Sequence, residues 1–159
     1  MLRVPPLPFD PTRVARVKEA LAEKGFASEE PLLDAVFGNS PFLARLAQRE
    51  VGALGEYFAA GPQTVLNAAI LMAHAAAHAD SEAAAMKDLR VAKRRAALAI
   101  AMADIAGDWD VNKVTAELTR FANQDHTLVF LLFAGFQVMV QNLLVYFMSL
   151  GTATVPFIN

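Results

Sequence analysis

An all-α fold, an irregular bundle of short and long helices, is what this sequence predicts. Three observations carry that expectation. Apolar residues recur at i, i+3, i+4 and i+7 along most of the first 122 positions, the spacing of one helix face. Pro, Gly, Ser and Asp punctuate the pattern where helices would begin and stop. No run before Asp125 alternates with period two, so no strand is expected there.

The elements follow in order. Val4-Pro5-Pro6-Leu7-Pro8 is a stiff extended lead-in, because proline fixes its own φ and restricts the residue before it. It lacks the long apolar core of a secretory signal peptide. Asp10-Pro11 reads as an N-cap followed by proline at the first helical position. Val14, Val17 and Leu21 give the first helix its stripe, and Gly25 is its expected stop. A short helix over 29–37 comes next, closed by Gly38. Ser40-Pro41 repeats the cap-then-proline signature and opens a helix with Phe42, Leu43 and Leu46. Gly52 and Gly55 leave the following stretch unassigned, although Tyr57-Phe58 must be buried somewhere. Gly61-Pro62 is a break.

Two long helices follow. One spans 62–79 with Leu66, Ala69, Ile70 and Ala73 on a stripe. Asp80 is expected to cap the other, which runs to about Ala106 and ends at Gly107. Its apolar side carries Met86, Leu89, Leu98 and Ile100. The many alanines favour helix intrinsically and let neighbours approach closely. Asp110 is the N-cap of a last helix with Val111, Val114, Leu118 and Phe121. Trp109 precedes it and packs on Val114 as a hydrophobic staple.

The chain has 159 residues, 55% of them hydrophobic, 19% charged and none cysteine. Without cysteine there is no disulfide scaffold and no thiolate metal site. An isoelectric point near 5.9 argues against a nucleic-acid binder, which would carry a concentrated basic excess. The positive mean hydropathy hides a division. Every Asp, Glu, Lys and Arg lies at or before Asp125, and 127–159 hold none. The stretch 127–150 exceeds the roughly 20 apolar residues that a membrane span needs. Gln137, Gln141 and Asn142 weigh against a span, since a buried amide requires partners. Arg120 on its N-terminal side would keep the N-terminus in the cytoplasm. A buried core helix or strand pair is the alternative.

Candidate chemistry is sparse. His74 and His78 stand at i, i+4, a metal-compatible spacing, but Ala75 replaces the glutamate of the zinc-protease pattern, and His126 is the only other histidine. Asp108-Trp109-Asp110-Val111-Asn112 opens like a calcium loop. Lys113 and Thr119 then occupy the positions that need glycine and glutamate. It is better read as a helix start using acidic residues against its own dipole. Lys87, Arg90, Lys93, Arg94 and Arg95 form a basic run. Lys87, Arg90 and Arg94 share one face, suited to an acidic partner, a phosphate or plain solvation with local pairs. Asp104 is expected half-buried, bound to an arginine across helices. No nucleophile–base set and no Gly-rich phosphate loop can be placed.

Several blocks together resemble one family. Val36-Phe37-Gly38-Asn39-Ser40-Pro41-Phe42-Leu43-Ala44-Arg45-Leu46 is the first. The second is Met86-Lys87-Asp88-Leu89-Arg90-Val91-Ala92-Lys93-Arg94-Arg95. It continues through Ala101-Met102-Ala103-Asp104-Ile105-Ala106-Gly107-Asp108-Trp109, and Val114-Thr115 with Leu118-Thr119-Arg120-Phe121-Ala122 completes it. In order and spacing these are similar to the leading segment of the bifunctional glutamine synthetase adenylyltransferase/adenylyl-removing enzymes.

The resemblance implies a division of the chain. Residues 1–28 would be a lead-in and first helix, and 29–122 the helical lead-in of the AMP-removing nucleotidyltransferase domain. Residues 123–159 would be a divergent uncharged tail. The family transfers AMP from ATP to a tyrosine of glutamine synthetase and removes it with phosphate, under control of the PII signal protein and glutamine. Its catalytic domains hold Mg²⁺ through a Gly-Ser-Asp-x-Asp-like motif on a mixed sheet. No Gly-Ser followed by Asp-x-Asp occurs in this chain. ATP and Mg²⁺ therefore belong to the full-length family, and no catalytic, cofactor or metal residue is carried over.

The resemblance gives Arg90, Arg94, Asp104, Trp109 and Arg120 the role of tying helices together, while the basic run makes Lys87, Arg90 and Arg94 a docking candidate. The expectation is a truncated or frame-disrupted homologue, cytoplasmic and inactive alone, with the family reading ending near Ala122. Two alternatives differ in class. One is a non-enzymatic docking module for glutamine synthetase or PII. The other is a small protein anchored in a membrane through 127–150.

Overall fold

A computed structural model describes residues 5–76 and 78–123 of the chain. All regular structure among these is helical: α1 (Pro11–Ala22), α2 (Pro31–Asn39), α3 (Pro41–Arg49), α4 (Val51–Ala60), α5 (Pro62–Ala76), α6 (Glu82–Ala106) and α7 (Val111–Asn123). None of these helices is long and apolar enough to cross a membrane. The stretch 127–150, proposed as a span, and His126 lie outside the described residues.

Local chemistry sets the helix starts. The Asp10 carboxylate accepts the Arg13 amide at 2.9 Å, with Pro11 at the first helical position. Ser40 Oγ accepts the Leu43 amide at 3.2 Å, again followed by proline. Asp110 Oδ1 accepts the Lys113 amide at 2.7 Å and caps α7. These three follow the sequence expectation that a side-chain oxygen satisfies an orphan amide of the first turn.

The fourth expected cap is corrected. Ser81, not Asp80, caps α6, its Oγ accepting the Ala84 amide at 3.3 Å. Both residue types cap well, and the one with extended backbone immediately before the first turn takes the role. Gly107 ends α6 in the left-handed region at φ 76°, as a glycine at that position should. α5 stops at Ala76 instead of continuing to 79.

Gly38 does not close α2; it lies inside it, buried. A Cβ built on Gly38 would come within 2.7 Å of Pro8 Cα and nearer still to Pro8 Cβ. Glycine is needed here so that the lead-in can lie directly on the helix. The adjoining polar groups fasten it. Asn39 Nδ2 donates to Leu7 O at 3.0 Å and to Ala35 O at 2.9 Å, and Asn39 Oδ1 accepts the Phe9 amide at 3.1 Å. Arg13 Nε donates to Phe37 O at 2.7 Å and its Nη2 to Gly38 O at 2.5 Å, covering carbonyls that the helix end leaves open. The Phe-Gly-Asn-Ser-Pro block is thus a junction: a buried ring, a close approach, a clamp, a cap and a helix start.

The unassigned stretch with Gly52 and Gly55 is helix α4. It buries Ala53, Leu54 and Tyr57, so the cost of two glycines, roughly 1 kcal/mol each relative to alanine, is offset by tertiary packing.

Two hydrophobic clusters share α6 as a spine. Val17, Leu21, Leu33, Val36, Phe37, Leu54 and Tyr57 pack with Leu98, Ala99 and Met102. On the other side Leu66, Ala69, Ile70, Ala73 and Ala76 of α5 meet Leu89, Ala92, Ala96, Ile100 and Ala103, with Trp109 and Phe121 beyond. α5 and α6 make the most extensive helix pair. Three large apolar residues placed on helix stripes face solvent instead: Phe42, Val111 and Leu118. On α7 the buried face runs through Val114, Glu117 and Phe121, so Val111 and Leu118 fall on the neighbouring arc.

Candidate functional site

The basic run of the sequence lies on α6, and the residue that organises it comes from elsewhere. Glu50 joins α3 to α4. Its amide donates to Leu46 O and its carbonyl accepts from Leu54 N, so the backbone serves both helices. Its carboxylate makes no cap and turns to α6. Arg94 Nε donates to Glu50 Oε1 at 2.6 Å, and Arg95 Nε donates to Oε2 at 3.2 Å. Glu50 is only 6% exposed. A carboxylate so buried requires charged partners, and here each oxygen has one. This cluster joins the α3–α4 corner to α6 across 44 and 45 positions of sequence.

Lys87, Arg90 and Lys93 are exposed on α6. None has a carboxylate within ion-pair distance among the described residues. At about 100° per residue, Lys87, Arg90 and Arg94 fall within an arc of roughly 60°. Asp88 and Glu82 lie on other arcs of the helix. Arg45 and Arg49 of α3 are exposed and without an ion-pair partner in the same sense. On α6 the result is a cationic face, beside which Arg94 and Arg95 share the carboxylate of Glu50.

The remaining sequence-selected residues divide as follows. Asp104 is exposed, not half-buried, and binds no arginine among the described residues. Trp109 is buried, packed in the cluster with Phe121, with Val114 against it and the Lys113 ammonium 5.5 Å from its ring centre. Arg120 Nη1 reaches Glu117 Oε2 at 3.1 Å on its own helix, and Lys113 Nζ reaches Glu117 Oε1 at 2.5 Å. Burial of Glu117 opposes its charge, but the hydrogen bonds and charges of Lys113 and Arg120 prevail and hold its carboxyl below the ordinary 4.5.

Asp108 accepts a hydrogen bond from the Tyr57 hydroxyl at 3.2 Å. Burial, then the Asp108 charge and that bond, push the phenol upward. His78 lies past the end of α5, its Nδ1 3.4 Å from His74 O, so the two histidines do not share a helix face.

Neither Glu50 nor Glu117 is singled out by sequence reasoning. The Lys113…Glu117…Arg120 spacing carries a signal for the second. The partners of Glu50 are too distant in sequence to leave one.

A magnesium site of the kind the family resemblance implies does not fit these residues. The chain's one Asp-x-Asp, Asp108 with Asp110, is occupied by the Tyr57 hydroxyl and by the α7 cap. No three His, Asp or Glu side chains converge among the described residues. A shallow cleft of about 240 Å³ between α1 and α2 is lined by Leu21, Phe26 and Leu33. Lys18 stands there, bridging Glu29 at 3.1 Å and Asp34 at 2.7 Å. It lies apart from α6.

Comparison with known proteins gives a consistent picture. The family model for glutamate-ammonia ligase adenylyltransferase matches residues 31–143. The match runs past Ala122 and into the uncharged stretch. Bifunctional glutamine synthetase adenylyltransferase/adenylyl-removing enzymes are similar in sequence. The one from Caulobacter vibrioides is 33% identical over 121 residues, covering 72% of this chain and 12% of the relative. The one from Xanthobacter autotrophicus is 40% identical over 111 residues, covering 66% of this chain and 11% of the relative. The chain thus spans about a tenth of the length of the curated relatives it matches. No solved structure matches it at a comparable level of significance.

Proposed function

The chain belongs to the glutamate-ammonia ligase adenylyltransferase family, and on that premise we propose that it is a helical, non-catalytic part of the machinery that adds AMP to glutamine synthetase and removes it. Its role is to form a rigid body and to dock the target enzyme. The observation that carries this reading is that several polar residues of the family-like blocks are engaged in holding the fold, while Lys87, Arg90 and Lys93 of α6 stay exposed. Asn39 and Ser40 fasten and cap the α2–α3 junction. Arg94 and Arg95 lock onto Glu50. Asp108 and Asp110 are taken up by Tyr57 and by the α7 start. Nucleotidyl transfer requires carboxylates free to hold a metal and in-line phosphates. ATP and Mg²⁺ are accordingly assigned to sequence outside this chain, and the site of action to the cytoplasm. Control by PII is part of the same proposal.

The test uses purified chain with glutamine synthetase. Labelled ATP and Mg²⁺ should give no AMP on the target, and adenylylated target with orthophosphate should release none. The chain should nevertheless be retained on immobilised glutamine synthetase. ATP-dependent labelling above a no-chain control would overturn the non-catalytic reading. Absence of retention would overturn the docking role. Retention on immobilised PII in place of glutamine synthetase would move the partner to PII.

A further inference from the structure

We infer that the outer face of α6, centred on Lys87, Arg90 and Lys93, is the surface that binds glutamine synthetase, through acidic side chains on that enzyme. The inference rests on the proposed docking role and assigns it to particular residues. Three exposed cations stand on one half of a helix with no carboxylate in ion-pair reach among the described residues. The neighbouring Arg94 and Arg95 share a single carboxylate, so the cluster keeps a net positive charge. The chain as a whole carries a formal charge of −2, which means that this face is a local excess and not a reflection of a basic protein. Such excess raises the encounter rate with an oppositely charged surface and sets its orientation.

The shape of the patch narrows the partner. From Lys87 to Lys93 the cations extend about 9 Å along the helix axis at 1.5 Å per residue. A single phosphate is best held by donors that converge on it. A line of separated cations suits carboxylates spread over a protein surface. The face is also rigidly mounted. Leu89 and Ala92, on the same turns as the cations, are buried in the cluster with α5, and the Glu50 cluster fixes the following turn through Arg94 and Arg95. Exposure of the three cations means that reversing their charge leaves the core untouched.

Binding of the full chain to glutamine synthetase from Caulobacter vibrioides would be measured by titration at low and at high salt. The wild-type chain should bind, with affinity falling as salt rises. The triple variant Lys87→Glu, Arg90→Glu, Lys93→Glu should lose at least about tenfold in affinity while keeping its helical circular-dichroism spectrum. Reversal on α1, Glu19→Lys with Glu23→Lys, should leave the affinity within about twofold. Wild-type binding that the triple reversal does not weaken would overturn this inference and leave the docking role standing. No wild-type binding would overturn both. Flotation of the chain with phosphatidylglycerol vesicles, in the absence of glutamine synthetase binding, would assign the face to a lipid surface and overturn the inference as well.

Discussion

Removing the carboxylate of Glu50 would leave two guanidinium groups side by side with nothing between them. Full burial would make that loss worth roughly 3–5 kcal/mol. The Arg94 and Arg95 side chains are 32% and 29% exposed, so water takes over part of the role. Glu50→Ala should therefore cost about 2 kcal/mol, read as a lower urea midpoint, and Glu50→Gln should lose less. Tyr57→Phe tests a neutral analogue: loss of the 3.2 Å bond to Asp108 should cost about 1 kcal/mol in the same assay. Glu117 gives a pH signature. Its folded pKa lies below the ordinary 4.5, so the unfolded chain takes up the proton first as pH falls. Its contribution is present above about pH 4.5 and is lost as pH drops through the folded value. Glu117→Gln should lower the melting temperature at neutral pH and flatten its acid limb, measured by melts from neutral pH to about pH 2.5. Of these residues, only the α7 triplet shows in the sequence, because its partners lie one turn apart. The Glu50 and Tyr57 pairs join positions more than 40 apart in sequence.

Helix boundaries were legible wherever one side chain settles them. Asp10, Ser40 and Asp110 cap, Pro11 and Pro41 start, and Gly107 stops, each for a reason contained within four residues. The misreadings share a different cause. As a residue type Gly38 favours a stop for α2, yet here the absent Cβ makes room for Pro8. Gly38→Ala should push the lead-in off α2. The measurable result is faster hydrogen exchange at the Phe9 and Asp10 amides, with a stability loss of about 1–3 kcal/mol. Asp80 and Ser81 are equivalent as residue types, and only the backbone at Ser81 decides between them. Ser81→Ala should cost about 1 kcal/mol in the urea assay, whereas Asp80→Ala should cost little. On α7 the four-residue stripe has the right period and is about half a residue off in phase. A buried glutamate between Val114 and Phe121 reads as polar until its two cations are placed.

At the scale of the molecule, α6 is both the spine of the core and the carrier of the cationic face. Its alanines let α5 pack closely, while Leu98 and Met102 turn its other side to α1–α4. Enlarging the small interface should be costly. Ala92→Leu, at a fully buried position, should destabilise by about 1–3 kcal/mol through overpacking. A hydrogen-exchange map would then show protection lost in α5 and α6 together, because the two halves of that interface open as one unit.

By itself the sequence determined the helical class, most helix starts, the alanine-rich pairing face, the family and the division of charge at Asp125. These are local or cumulative properties, written in spacing, capping chemistry and composition. The tertiary structure decided the α4 helix, the place of Gly38, the partners of Glu50 and Tyr57, and which α6 cations have no ion-pair partner among the described residues. Each of these depends on what lies across a helix interface. A carboxylate is a cap, an ion-pair partner or a solvated charge according to its distant neighbours, and no periodicity within one segment encodes that choice.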